Sequence, residues 1–112
     1  MTSKEFLEFH KKCCEEMHCI TAQKNADYSA DSVNDAFGNF RLVEFAGAAT
    51  VEQGFAVRMS DKYARICSFI KKGKLEVKDE SVSDTLLDLA NYCLLFMGYL
   101  QSKKEDTNKG ML

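Results

Sequence analysis

The sequence predicts an all-α protein, an antiparallel bundle of four helices, and three observations carry that expectation. Its 112 residues contain no proline, so helices can run unbroken and the strand-and-turn punctuation of an all-β chain is missing. Apolar residues recur at three- and four-residue steps over long stretches, the period of one helix face. The strings "TSKE" and "TVEQ" each set a threonine three residues ahead of Glu or Gln, the signature of a capping box at a helix start.

The elements follow in order. Thr2 and Glu5 cap a first helix over residues 3–22, with Phe6, Phe9, Cys13, Met17 and Ile20 on its apolar face. "QKNADYSADS" breaks that pattern with small and polar residues and reads as a loop. "VNDAFGNFRLVEFAG" then sets Val33, Phe37, Phe40 and Phe45 on one face of a second helix that ends near Gly47. Thr50 and Gln53 open the third helix, with Val51, Phe55, Met59, Ile66 and Phe69 inward and Gly73 as its C-cap. "KLEVKDE" is a short connection, and the fourth helix runs from Ser81 to Lys103.

Length and composition point to one all-α domain over residues 1–103 with a polar tail at 104–112. Seventeen acids against fifteen bases give a net charge of −2, which is no basic signature for a nucleic-acid polymer. Five cysteines, an odd number, and a charged N-terminus without a signal-peptide core suggest free thiols in a reducing cytoplasm. The longest apolar run, "YCLLFMGYL", is far short of a membrane span. Eight phenylalanines and four tyrosines in so short a chain leave apolar surface to cover, so a homo-oligomer is expected.

Candidate chemistry begins with "KDESVSDTLLDLANYCLL". Glu80, Asp84, Asp88 and Asn91 stand four, four and three apart, stacked on one side of a helix that is otherwise rich in leucine. A carboxylate among leucines needs compensation, and Mg²⁺ or Mn²⁺ held by one or two carboxylates plus substrate phosphates would supply it. Acids at a helix N-terminus explain Glu80 and Asp84 equally well, but not Asp88 or Asn91. The third helix carries Arg58, Asp61 and Arg65 with Lys62 alongside. Asp61 could complete a carboxylate cluster and the bases could meet phosphates, or the row is a solvated face of ion pairs. In the segment from Lys24 to Arg41, Tyr28, Phe37 or Phe40 could stack on a nucleobase and Asn25 or Asn39 could read its edge, although Phe37 and Phe40 stand at helical spacing and fit the core better. His10, Cys14 and His18 also fall four apart. One helix cannot wrap a tetrahedral zinc ion with three residues over two turns, so part-buried thiols and surface histidines are expected.

Three strings, "KNADYSADSVNDAFGNFR", "GFAVRMSDKYARI" and "VKDESVSDTLLDLANYCLL", together resemble the nucleotide modification associated domain, type one, a family of phage and bacterial proteins. The likeness covers residues 22–100. That family is similar to the MazG-like all-α nucleotide pyrophosphohydrolases, helical bundles that hold Mg²⁺ with acids on two facing helices. The resemblance implies that Asp84 and Asp88 are the second acidic motif of that group. Where the first motif has three glutamates, "MSDKYAR" supplies Asp61 and then Lys62 and Arg65.

Residues and resemblance together lead to one expectation. The chain would be a Mg²⁺-dependent nucleotide-processing protein with Asp61, Asp84 and Asp88 as catalytic acids and Asp61, Glu80, Asp84 and Asp88 as metal ligands. Lys24, Asn25, Asp27, Tyr28, Asn39, Arg41, Arg58, Lys62, Arg65 and Asn91 would bind the substrate, a (deoxy)nucleoside triphosphate cleaved to monophosphate and pyrophosphate. The alternative is a protein that sequesters a nucleotide or cyclic-nucleotide signal unchanged.

Overall fold

Local capping decides where the helices start. Thr2 and Glu5 exchange bonds, with the Thr2 amide donating to Glu5 Oε2 at 2.9 Å and the Glu5 amide donating to Thr2 Oγ1 at 3.1 Å. Two of the free amides of a helix start are thereby satisfied. The computed structural model describes residues 1–28, 36–75 and 81–110. These contain four α-helices and no strand: α1 (Ser3–Tyr28), α2 (Gly38–Phe45), α3 (Val51–Lys72) and α4 (Val82–Gly110). None of them is long and apolar enough to cross a membrane. The chain forms two compact units, Met1–Asn39 and Phe40–Leu112.

The first unit contains α1. The helix runs six residues past the end expected from its apolar pattern. Ala22, Gln23 and Lys24 are strong helix formers that need no apolar neighbour to continue a helix, so Lys24, Asn25, Asp27 and Tyr28 belong to a helix and not to a loop. Cys13, Met17 and Ile20 are partly buried, whereas Phe6 and Phe9 are exposed.

In the second unit, Thr50 caps α3 with a full capping box: its side chain accepts from the Gln53 amide at 3.1 Å, and Gln53 Oε1 accepts from the Thr50 amide at 2.9 Å. Gly73 closes the helix at φ 77°, its amide donating to the Phe69 carbonyl at 2.7 Å. That left-handed conformation is one glycine adopts without penalty. The second helix is shorter than the sequence suggests, beginning at Gly38, with Phe37 in the preceding turn. Val33 lies outside the described residues. Phe45 is 91% exposed although Phe40 is buried, because five helical steps turn a side chain well away from the face it started on. The last helix passes Lys103 and continues to Gly110; Gln101 donates to Glu105 at 3.2 Å across one of its turns.

Helices α3 and α4 form an antiparallel hairpin. Glu52 meets Lys103, Phe55 meets Tyr99 and Phe96, Arg58 meets Tyr92, and Lys62 meets Asp88, so the partner number falls as the α3 number rises. Phe55, fully buried, centres the core. Its ring stacks on Phe40 of α2 at 4.2 Å and 15°, and it also touches Phe96 at 4.9 Å. Glu44, in α2, accepts from the Val51 amide at 3.0 Å and so holds the start of α3.

The contact line divides the hairpin into two faces. Counted at about 100° per residue from that line, in the opposite sense on each antiparallel helix, Arg58, Asp61 and Arg65 of α3 project to the same side as Asp84, Asp88 and Asn91 of α4. Met59, Tyr63, Ile66 and Ile70 project to the other side with Leu86, Leu89, Cys93, Phe96 and Leu100.

Candidate functional site

The polar face is built around two contacts one helical turn apart. Lys62 Nζ lies 2.9 Å from Asp88 Oδ2, with both side chains partly buried. Arg58 Nη1 donates to Tyr92 Oη at 3.4 Å, and the Arg58 guanidinium lies 5.3 Å from the centre of the Phe40 ring. Flat guanidinium on aromatic face is a favourable cation–π arrangement, and it fixes Arg58 while its remaining donors stay near the surface. Two of the cations and one of the acids singled out in the sequence are therefore in register across the helix pair.

Other candidates have different surroundings. Asp84 is exposed in the first turn of α4, where its amide donates to Ser81 Oγ at 3.0 Å. This is the N-terminal arrangement that the helix dipole favours. Asp61 and Arg65 are exposed on α3, and Asn91 is half-buried on α4. The Arg41 guanidinium stands 5.6 Å from the centre of the Tyr99 ring, beyond the Phe40–Phe55 stack. Lys24, Asn25, Asp27, Tyr28 and Asn39 belong to the first unit. Glu80 lies outside the described residues. Among the described residues, no three His, Cys, Asp or Glu side chains converge as a metal-holding group. His10 meets the Cys14 thiol, 3.9 Å from Nδ1 to Sγ, and its ring lies 6.2 Å from that of Phe6. All five cysteines are free; four of them, Cys14, Cys19, Cys67 and Cys93, are exposed where part-buried thiols were expected.

Sequence reasoning missed Tyr92, Phe40 as the platform for Arg58, and the network around Tyr99. Tyr92 had a signal: it follows Asp88 by four residues and so continues the same row. Tyr99 is buried beside the Glu52–Lys103 ion pair of 3.3 Å. Burial, reinforced by the negative charge of Glu52 and a hydrogen bond to it, pushes the phenol above its ordinary pKa.

The residues present fit a hard cation in the kind of donor they offer. Asp84 and Asp88 are carboxylates one turn apart, and Mg²⁺ is commonly held by one or two carboxylates with the rest of its shell from water and phosphate. In this structure Lys62 occupies one oxygen of Asp88, the position a cation would otherwise neutralise.

Fold and site define an all-helical protein whose α3–α4 hairpin carries a basic row in register with an acidic one. Comparison with family models, with curated proteins and with solved structures finds no significant match in any of the three.

Proposed function

We propose that the chain is a nucleotide-processing protein, a MazG-like antiparallel four-helix bundle that acts with Mg²⁺ or Mn²⁺ in the cytoplasm (the host cytoplasm if it is phage-encoded). It would cleave a (deoxy)nucleoside triphosphate to the monophosphate and pyrophosphate. The observation that carries the reading is the 2.9 Å contact between Lys62 and Asp88, which joins the two polar rows at the point where phosphate charge and metal charge would be balanced. The resemblance of the three long strings to the nucleotide modification associated domain supports the same class.

Asp84 and Asp88, with Asp61 and Glu80, would hold the ion. The chemistry it supplies when bound is neutralisation of phosphate charge and a water ionised near neutral pH. Lys62 would leave Asp88 for a phosphate oxygen as the nucleotide enters, exchanging one charge-assisted bond for another. Arg58, preset by Phe40 and Tyr92, would add donors to the same phosphates without having to be ordered first. In the reaction, a water oxygen bonds to the α-phosphorus and the α–β bridging bond breaks.

One observation favours a second reading. Lys62 already neutralises Asp88, and the polar face of α3 offers a single acid, Asp61, beside the three cations Arg58, Lys62 and Arg65. A phosphate-binding face that never hydrolyses its ligand fits that balance, and the protein would then sequester a nucleotide or a cyclic-nucleotide signal. Incubation with a panel of canonical and modified nucleotides and Mg²⁺ or Mn²⁺, with chromatography of the products, separates the two. Monophosphate plus pyrophosphate from a panel member establishes the enzyme. One member retained unchanged on the protein establishes sequestration. A panel neither cleaved nor retained sinks both.

A further inference from the structure

Lys62 stands where a metal ion on Asp88 would have to bind. Its Nζ lies 2.9 Å from Asp88 Oδ2, and the lysine side chain is 19% exposed against 35% for the aspartate. Asp61 and Asp84 are exposed, so Asp88 is the best shielded of these three acids, and its attraction for a cation is the least screened by water. An ammonium and a divalent ion both approach a carboxylate along its oxygen lone pairs. One carboxylate cannot neutralise both. A metal bound beside the resident ammonium would also meet its repulsion, which is strong at close range in partly buried surroundings.

We propose that Lys62 is an internal counter-ion that keeps divalent metal off Asp88 until an anionic ligand draws its ammonium away. The inference rests on the nucleotide reading for that ligand and adds to it a coupling between the two guests. Without nucleotide, the chain is a poor metal binder. A triphosphate offers the ammonium several charged oxygens, and the exchange of partners leaves Asp88 free for the metal while Asp84, one turn earlier, supplies a second carboxylate. Coupling of this kind is reciprocal, so the metal raises the affinity for the phosphate ligand by the factor that the ligand raises its own. Arg58 carries the same charge one turn from Lys62, but it is seated on the Phe40 ring and bonded to Tyr92. It therefore serves as the control for charge alone.

Mn²⁺ alone tests this, titrated into the full chain without nucleotide and read from the electron paramagnetic resonance of the free ion. Circular dichroism checks folding. Lys62→Met should bind Mn²⁺ at least about 10-fold more tightly than the wild type, within the usual range of coupling between sites. Lys62→Arg, which keeps the charge, should stay as weak as the wild type. Arg58→Met should gain less than about 3-fold, since its charge is farther from the acid and better screened. Adding Asp88→Asn to Lys62→Met should abolish the gain. Equal affinity in the wild type and Lys62→Met overturns the proposal, and so does an equal gain in Arg58→Met. Where Lys62→Met loses helicity, Lys62→Gln gives the same comparison, because it can still hydrogen-bond to Asp88 without the charge. An untouched nucleotide panel is a separate result. It removes the nucleotide reading, while a gain in Lys62→Met still establishes the competition at Asp88.

Discussion

Lys62 of α3 and Asp88 of α4 form a 2.9 Å ion pair across the hairpin, with the lysine the more deeply buried partner. It joins the two polar rows directly, one helical turn from the Arg58–Tyr92 contact. Exposed pairs contribute little, about 0.2–1 kcal/mol, because water screens them and long side chains must be ordered. Partial burial puts this one at the upper end, so a double-mutant cycle between Lys62→Met and Asp88→Asn should give a coupling of about 1 kcal/mol. On the proposed chemistry, Asp88→Asn should also abolish metal-dependent turnover while circular dichroism still reports full helicity. Undiminished turnover in that variant would exclude Asp88 as a ligand.

Phe55 ties α2, α3 and α4 together. It is fully buried and packs on Phe40, Phe96 and Tyr99 from two neighbouring helices. Truncation to alanine opens a cavity where three rings met, and such changes cost about 3–5 kcal/mol. Urea unfolding should show a loss of that size for Phe55→Ala. Phe45→Ala, at a site 91% exposed, should change stability by less than about 0.5 kcal/mol.

What the sequence disclosed, and what it hid, follows from how local each feature is. Thr2 with Glu5, and Thr50 with Gln53, were legible because a capping box is complete within four residues. Gly73 was legible because a left-handed helix end needs a glycine. The ends of α1 and α4 were not, since a polar run such as "QKNADY" reads as loop by its lack of apolar residues while its alanine, glutamine and lysine still favour helix. Phe45 was misassigned because an aromatic near a helix end carries no mark of which face it occupies. At the site, spacing alone put the acids of α4 in one row and the bases of α3 in another. Which base meets which acid depends on the register of the hairpin, set by Phe55 against Phe96, and no local pattern encodes that. The cation–π seat of Arg58 on Phe40 is likewise a meeting of distant residues.

The capping box of α3 should be worth a measurable amount. Thr50 Oγ1 and Gln53 Oε1 satisfy two amides that would otherwise face water or nothing. Thr50→Ala should therefore lower stability by about 1 kcal/mol in a thermal or urea melt. Gly54→Ala, in the same helical turn, should act in the opposite sense. A methyl added there meets no atom within 4 Å, and alanine is favoured over glycine inside a helix by about 1 kcal/mol. The pair of variants separates loss of the cap from general sensitivity of the α3 start.

Tyr99 predicts a pH dependence of definite sign. Its phenol titrates above the ordinary value in the folded protein because it is buried and because Glu52 is nearby. In the unfolded chain it would ionise near its ordinary pKa of about 10. Below that value both states keep the proton and the stability is intact. As pH rises past it, the unfolded chain releases its proton first, the folded state binds more protons, and stability falls through the folded pKa. A difference between variants isolates the phenol from every other group. Urea midpoints of the wild type and Tyr99→Phe, compared between pH 8 and pH 11, should diverge, with the wild type losing more stability on the alkaline side. Parallel curves would mean that the phenol is as free to ionise in the folded protein as in water. Glu52→Gln should flatten the wild-type decline only in part, since burial is the larger cause and remains.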